Sequence, residues 1–313
     1  MKDTFDREIS YLRLSVTDLC NLRCVYCMPA EGVKKLRHGD ILSIEEIAEI
    51  VAAAARCGIT KVRVTGGEPL VRRGILDICR KISETPGILE TCLTTNGALL
   101  TQFAKPLRGA GVARLNISLD TLDPEKYREI TRGGDLSDAL RGIEAARDAG
   151  FDNLKINAVL IGGVNDGGAR ELIELTRGGV HVRFIELMPI GECAAWDRGR
   201  FVGSGAVLRA APELVPEASD GVASLYRLPG APGTVGLISP ISAHFCPSCN
   251  RIRVTSDGKL KPCLHSAGEV NLRGLHGDAL EQAIRAAILQ KPRRHHIDER
   301  ASESLRNMNA IGG

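Results

Sequence analysis

The sequence predicts an α/β protein: a partial (βα)6 TIM-like barrel followed by a C-terminal extension. Three observations predict it. Six short runs rich in β-branched residues or Leu alternate with helical patterns over the first two-thirds of the 313-residue chain. Each run is followed by Gly, Pro, Asn or Asp, the residues that end strands. Six such units imply parallel strands joined by right-handed crossovers, fewer than the eight that close a full barrel. An open doubly wound sheet fits the same pattern.

The predicted strands are Tyr11–Thr17, Lys61–Thr65, Glu90–Thr95, Arg114–Leu119, Leu154–Leu160 and His181–Leu187. The clearest helix is Ser43–Cys57. Ser43 and Glu46 match a capping box, which satisfies the exposed N–H groups of the first turn. Ile44, Ile47, Ile50, Val51 and Ala54 recur at helical spacing, and Gly58 can end the helix. A second helix is Asp138–Ala149, closed by Gly150. From about Trp196 the rhythm changes, and Gly, Pro and Ala become frequent, as in Leu228-Pro-Gly-Ala-Pro-Gly-Thr234. The barrel is therefore assigned to residues 1–195 and the extension to residues 196–313. The extension holds an amphipathic stretch, Asp278–Leu289, and a basic run, Lys291-Pro-Arg-Arg-His-His296, whose role the sequence leaves open: it could steer nucleotides, contact a partner or, the expected case, form a solvated face.

Composition bounds the function. Hydrophobic residues at 43% and charged residues at 25% supply a globular core. Aromatics at 4% give no stacking surface for nucleic acid, and a net charge of +3 is too small for a general DNA binder. No apolar run approaches a membrane-spanning length, and Met1 to Ser10 is too polar for a signal peptide. The expectation is a cytoplasmic protein with no nucleic-acid or membrane partner. Ten cysteines in a reducing compartment do not form a disulfide framework. Cys57, Cys79, Cys92 and Cys193 fall in helical or strand patterns and read as core. The other six fall into two groups.

The first group, Cys20-x3-Cys24-x2-Cys27, follows the first strand. Three thiolates are one short of a closed four-ligand site, so a cluster they hold leaves one iron open. Parallel βα folds build their sites where strand C-termini meet the following loops. There this chain carries Gly66-Gly67-Glu68-Pro69, Thr94-Thr95-Asn96-Gly97, Ser118-Leu119-Asp120, Lys155 with Asn157, and Glu186-Leu187-Met188-Pro189. Each motif alone is an ordinary turn signal, but six polar strand ends facing one opening are harder to read as turns. Tyr11, Arg13 and Ser15 share one face of the first strand, and a cation inside a parallel sheet needs a partner, either a core carboxylate or an anionic ligand. The second group is Cys246-x2-Cys249-x13-Cys263. It surrounds Arg251 and Arg253, which alternate onto one strand face and suit an anionic, nitrogen-containing ligand. A zinc site with His265 or His244 as fourth ligand fits the same spacing.

Cys-x3-Cys-x2-Cys with an aromatic residue before the last cysteine, followed by Gly-Gly-Glu-Pro, resembles the radical S-adenosylmethionine (SAM) superfamily. The two three-cysteine groups, the Cys249-Asn-Arg-Ile-Arg253 segment and the terminal Gly312-Gly313 resemble, within it, the GTP 3′,8-cyclases of molybdenum cofactor biosynthesis. The resemblance implies a lyase with SAM and two [4Fe–4S] clusters, one on Cys20, Cys24 and Cys27 and one on Cys246, Cys249 and Cys263. It places SAM against Tyr26, Gly67, Ser118 and Met188. It places GTP against Arg13, Arg63, Thr94, Lys155, Arg251, Ile252 through its backbone, and Arg253. It brings the Gly312-Gly313 tail into the active site as a catalytic element. The implied reaction takes hydrogen from C3′ of GTP, joins that carbon to C8 of guanine, and gives (8S)-3′,8-cyclo-7,8-dihydroguanosine 5′-triphosphate. The implied partners are an external one-electron donor and a downstream cyclic pyranopterin monophosphate synthase that accepts the product, and the chain could pair as a homodimer. Two rivals share some of these features: a peptide-modifying radical SAM maturase with auxiliary clusters, and a non-enzymatic iron–sulfur or zinc module.

Overall fold

The computed structural model describes residues 1–33, 36–297 and 302–312. Six parallel strands form where the sequence predicts them: β1 Tyr11–Ser15, β2 Lys61–Thr65, β3 Glu90–Thr95, β4 Arg114–Ser118, β5 Lys155–Leu160 and β6 His181–Glu186. β1 is two residues shorter than expected. Thr17 leaves the ladder because its hydroxyl accepts from the Leu19 N–H (3.1 Å) and its carbonyl from the Gly67 N–H (2.8 Å).

The extension adds strands to both edges of this sheet. These are β7 Val215–Glu217, β8 Ser224–Arg227, β9 Val235–Ile238, β10 Arg251–Val254, β11 Lys259–Lys261 and β12 Val270–Asn271. The spatial order is β12-β11-β10-β1-β2-β3-β4-β5-β6-β9-β8-β7. β9 runs parallel to β6 and β10 parallel to β1, while the outer strands turn back antiparallel. The sheet is thus more extensive than six strands. The added strands are only two to four residues long, too short to show a period in sequence.

The helices are α1 Ile44–Arg56, α2 Ile75–Ser83, α3 Leu100–Gly109, α4 Pro124–Thr131, α5 Leu136–Asp148, α6 Ala169–Glu174, α7 Gly205–Ala210, α8 Gly277–Leu289 and α9 Met308–Ile311. The predicted capping box is present at α1: Ser43 Oγ accepts from the Glu46 N–H (3.1 Å), and Glu46 Oε2 accepts from the Ser43 N–H (2.7 Å). α5 starts two residues before the expected Asp138, because the Asp135 carboxylate caps the Ser137 N–H (2.8 Å) and Leu136 can bury in the first turn. α8 matches the expected amphipathic stretch and buries Leu280, Ile284, Ala287 and Ile288.

Strand alternation decides where the core sits. Leu12 and Leu14 of β1, Val62 and Val64 of β2, and Leu115 and Ile117 of β4 are fully buried between sheet and helices. The opposite face carries polar side chains around an interior cavity. Cys57, Cys79, Cys92 and Cys193 are buried, as expected of core residues.

Residues 302–312 pack into this fold. Arg306 donates to both Glu269 oxygens (2.7 and 2.8 Å) and both Asp257 oxygens (3.1 and 2.9 Å). This pins the terminal segment to the turn after β10 and the residues before β12. Beyond it, Asn309 Nδ2 donates to the Asp18 carbonyl (3.1 Å) and Arg253 Nη1 to the Gly312 carbonyl (2.5 Å). Gly312 has φ +83°, and a Cβ there would stand 2.3 Å from Thr65 Oγ1, so only glycine seats at that depth. Arg306→Ala is expected to weaken docking of residues 302–312 by about 2 kcal/mol, raising the released population roughly thirtyfold. Carboxypeptidase trimming of the folded protein, followed by mass spectrometry, checks this, and unchanged trimming would refute the clamp.

Candidate active site

The loop after β1 carries Cys20, Cys24 and Cys27. The Cys27 and Met28 N–H groups both donate to the Cys24 carbonyl (2.9 and 3.3 Å), winding the loop into one turn. The Leu22 N–H points at Cys20 Sγ (3.3 Å). All three thiols are free, half-buried and open to the interior cavity of about 600 Å³. Burial, with Cys20 and Cys193 nearby, pushes Cys27 up to about 12, and burial beside Cys27 and Asp120 also pushes Cys24 up. Such thiols ionise only with a strong cationic partner, so this donor set fits an iron–sulfur cluster with three protein ligands.

Gly66 and Gly67 hold that loop in place. The Gly67 N–H donates to the Thr17 carbonyl and the Glu68 N–H to the Leu19 carbonyl, both at 2.8 Å. A Cβ on Gly67 would lie 2.4 Å from the Leu19 carbonyl oxygen, so backbone meets backbone only with glycine there. Both glycines also line the cavity. Glu68 is fully buried and accepts from the Leu70 N–H (3.0 Å), the Asn96 N–H (2.7 Å) and Thr95 Oγ1 (2.8 Å). It ties the end of β2 to the end of β3. Tyr26 donates its hydroxyl to Asp120 (2.8 Å), which also accepts from the Val159 N–H (2.8 Å). Burial raises Asp120 to about 6. Ser118 and Met188 complete this end of the cavity.

The middle of the cavity is basic because of strand register. Arg253 pairs with Arg13, and Arg13 with Arg63, on three adjacent parallel strands. Three guanidiniums therefore stand side by side on one face. Burial pushes Arg13 down to about 10, with Arg63 and Arg251 adding to it, and burial with Arg13 and Arg251 also lowers Arg253. Arg63 donates to the Tyr11 hydroxyl (2.5 Å), the Leu93 carbonyl (3.2 Å) and Thr94 Oγ1 (3.4 Å). Lys61, the other cation of β2, pairs with Glu90 (2.5 Å). Burial, reinforced by Arg183, pushes Lys155 down to about 8. Across from the arginines, the side-chain oxygens of Asn116 and Asn157 are buried with no donor among the described residues. A cavity with excess buried cations and unsatisfied amide acceptors fits an anionic ligand that also carries N–H or O–H groups.

The second cysteine group lines the other end. Tyr11 at the start of β1 pairs with Arg251 at the start of β10. Cys249 therefore lies at the N-terminal end of the parallel strands and Cys20 beyond their C-terminal end. Burial acts to raise the Cys249 thiol, but Arg251 and Lys291 outweigh it and bring it down to about 6. Arg251 also stacks 4.9 Å from the centroid of the Phe245 ring. The expected solvated face at Lys291–His296 is corrected. Arg293 and Arg294 are exposed, but Lys291 is 3% exposed and His295 8%. Lys291 Nζ donates to the Arg251 carbonyl (2.9 Å) and the Pro262 carbonyl (2.7 Å), clamping the segments that carry Cys249 and Cys263. Burial beside His295 lowers His265 to about 3.

Cys20, Cys24, Cys27, Tyr26, Gly67, Ser118, Met188, Arg13, Arg63, Thr94, Lys155, Arg251, Arg253, Cys246, Cys249 and Cys263 all line this one cavity. Ile252 does not. Its side chain is buried in the outer core, as alternation between Arg251 and Arg253 requires. Gly312 lies behind the wall, against Ser15 and Thr65, and Gly313 lies outside the described residues. Sequence reasoning missed Tyr11, Asn116, Arg183 and Lys291. The alternation that marked Arg13 also marks Tyr11, and Asn116 shares a face with Ser118. Lys291 carried no such signal.

Two family profiles cover most of the chain: the radical SAM superfamily over residues 14–176 and Molybdenum Cofactor Synthesis C over residues 180–297. The chain is 51% identical over 320 residues to a GTP 3′,8-cyclase of Alkaliphilus metalliredigens (strain QYMF), covering 100% of both chains. It is 49% identical over 326 residues to one from Pelotomaculum thermopropionicum, again covering 100% of both. Among solved structures, it is similar to Streptococcus suis SuiB bound to S-adenosylmethionine, with TM-score 0.58 and 15% identity over 97% of this chain and 75% of that one. It also matches anSMEcpe with bound AdoMet, with TM-score 0.58 and 16% identity over 86% and 80%. These last two share the fold. Full-length identity near one-half, both profiles and a three-cysteine group at each end of one basic cavity agree: the chain belongs to the radical SAM superfamily and, within it, to the GTP 3′,8-cyclases.

Proposed function

We propose that this chain converts GTP to (8S)-3′,8-cyclo-7,8-dihydroguanosine 5′-triphosphate, the first step of molybdenum cofactor biosynthesis. The observation that carries the reading is the in-register row Arg253, Arg13 and Arg63, set between two three-cysteine groups at opposite ends of one cavity. Cys20, Cys24 and Cys27 would hold a [4Fe–4S] cluster whose open iron faces SAM, with Tyr26, Gly67, Ser118 and Met188 around it. Cys246, Cys249 and Cys263 would hold the second cluster, facing guanine. When bound, SAM and its cluster supply the one-electron chemistry that removes hydrogen from the ribose.

The protein's part is placement. Arg13, Arg63 and Arg253 neutralise the triphosphate, and Arg251 holds the end nearest Cys249. Lys155 and Thr94 approach from β5 and β3, and Ile252 contributes backbone groups. The acceptor oxygens of Asn116 and Asn157 suit ribose hydroxyls or guanine N–H groups. The Gly312-Gly313 tail supports the rearrangement, Gly312 from behind the wall against Thr65 and Ser15. Arg253 serves two roles, since it faces the anion site and also holds the Gly312 carbonyl. An external one-electron donor, a downstream cyclic pyranopterin monophosphate synthase, a cytoplasmic location and a homodimer belong to the same reading. So does a division into a barrel of residues 1–195 and an extension of residues 196–313. Among the described residues, no helix is long and apolar enough to cross a membrane.

Anaerobic reconstitution, then incubation with SAM, reductant and either GTP or ATP, should give a nucleotide isobaric with GTP only in the GTP reaction. SAM cleavage without change to GTP would move the substrate elsewhere. Arg251→Ala and Arg253→Ala should weaken GTP binding roughly ten- to a hundredfold while SAM cleavage persists, and unaltered GTP affinity would count against both assignments. Removing Gly312 and Gly313 should abolish cyclisation while SAM is still cleaved, and undiminished product would refute a catalytic tail. Lys155 is charged below about pH 8 and neutral above it. The KM for GTP should therefore rise about tenfold between roughly pH 7 and pH 9. In Lys155→Met the KM should be high throughout, and an equal rise in that variant would assign the effect to another group.

A further inference from the structure

Three imidazoles meet where the second cysteine group borders the cavity, and the cyclisation uses none of them. The His244 and His295 rings lie 4.6 Å apart between centroids, tilted by 31°, and His265 meets His295 edge-on at 4.7 Å. One ring nitrogen of His244, one of His295 and the Cys246 sulfur all lie within 4.8 Å of one another. Cys246 and His295 are buried and His244 is half-buried.

This grouping is built rather than incidental. His244 and Cys246 come from the loop before β10, and His295 from the segment after α8. Arg7 is itself buried and paired with Asp3 (2.6 Å). Its Nη1 donates to the Cys246 and Arg293 carbonyls (both 3.1 Å) and its Nη2 to the Pro292 carbonyl (2.8 Å). Lys291 ties the same segment to the Arg251 and Pro262 carbonyls. The His295 N–H also faces the Cys246 sulfur. Two imidazoles and one thiolate suit a borderline divalent metal better than a hard cation, which prefers oxygen. Tetrahedral zinc has Zn–N near 2.0 Å and Zn–S near 2.3 Å, so its ligands stand about 3.5 Å apart. The ligand atoms therefore have to approach one another by at most about 1.3 Å (4.8 − 3.5).

We propose that His244, Cys246 and His295 form a mononuclear site for a divalent cation of the zinc or cobalt class. Its occupancy excludes the second iron–sulfur cluster, because both need the Cys246 sulfur. The exclusion rests on the cluster reading given above; the metal site does not. Zinc at this position would close the GTP end of the cavity while leaving the Cys20–Cys27 loop free.

The test starts with the cluster-free full chain carrying Cys20→Ala, Cys24→Ala and Cys27→Ala, titrated with Co²⁺. One cobalt per chain is expected, with tetrahedral d–d bands and a thiolate-to-cobalt charge-transfer band. Adding Cys249→Ala and Cys263→Ala should leave binding intact, whereas adding His244→Asn and His295→Gln should weaken it at least tenfold. Binding that survives loss of the histidines and disappears without Cys249 and Cys263 would overturn the proposal, as would no binding at all. A second measurement reconstitutes the otherwise native chain with iron and sulfide, with and without Zn²⁺. Iron should fall from about eight to about four per chain as one zinc binds, and His244→Asn/His295→Gln should restore about eight. Zinc bound with iron still at about eight would overturn the exclusion. Iron that never exceeds about four without zinc would instead refute the second cluster and leave the cobalt result to decide the site.

Discussion

The parallel pairing of β10 with β1 is the contact on which the arrangement depends. It attaches the extension to the first strand of the barrel and sets Arg253 against Arg13 and Arg251 against Tyr11. Because the pairing is parallel, the cysteines before β10 and those after β1 fall at opposite ends. The five residues of β1 span about 13 Å between them. A slip of one residue would turn Arg251 and Arg253 outward and bring Ile252 into the cavity. Register therefore fixes at once the charge of the cavity, its length and the separation of its two thiol groups.

The inner face of this sheet departs from the usual behaviour of parallel strands, which bury apolar side chains on both sides. Here the outer face supplies the conventional core, and the inner one carries Arg13, Arg63, Arg253, Asn116, Lys155 and Arg183. Such a wall is costly to desolvate. Neighbours offset part of that cost: the Tyr11 hydroxyl and the Leu93 carbonyl accept from Arg63, Gly312 from Arg253, and Asp220 pairs with Arg183. The remainder is a standing preference for an anion, so the fold gives up some stability in order to bind.

Much of this was legible in sequence. The six barrel strands are visible because each is five or six residues of alternating or apolar pattern closed by a turn residue. Arg13 is visible because a cation in a parallel strand is anomalous. The short strands of the extension are not visible, since two to four residues carry no period. Nor is Lys291 distinguishable from Arg293 by composition: what separates them is that two backbone carbonyls from distant segments converge on one ammonium. The clamp at Arg306 is hidden for the same reason, since Asp257 and Glu269 lie 49 and 37 residues away in sequence.

The partnership of β1 and β10 also has a cost in time. Tyr11 and Arg251 are 240 residues apart (251 − 11). At about 5–20 residues per second, a ribosome needs roughly 12 to 48 seconds to cover that distance. For that interval one edge of β1 has no partner from its own chain, and an open strand edge invites pairing with other chains. The cysteine loop that β1 leads into is then flanked on one side only. This sheet is completed only once β10 is made, and any agent that shields the nascent protein has to cover β1 until β10 emerges.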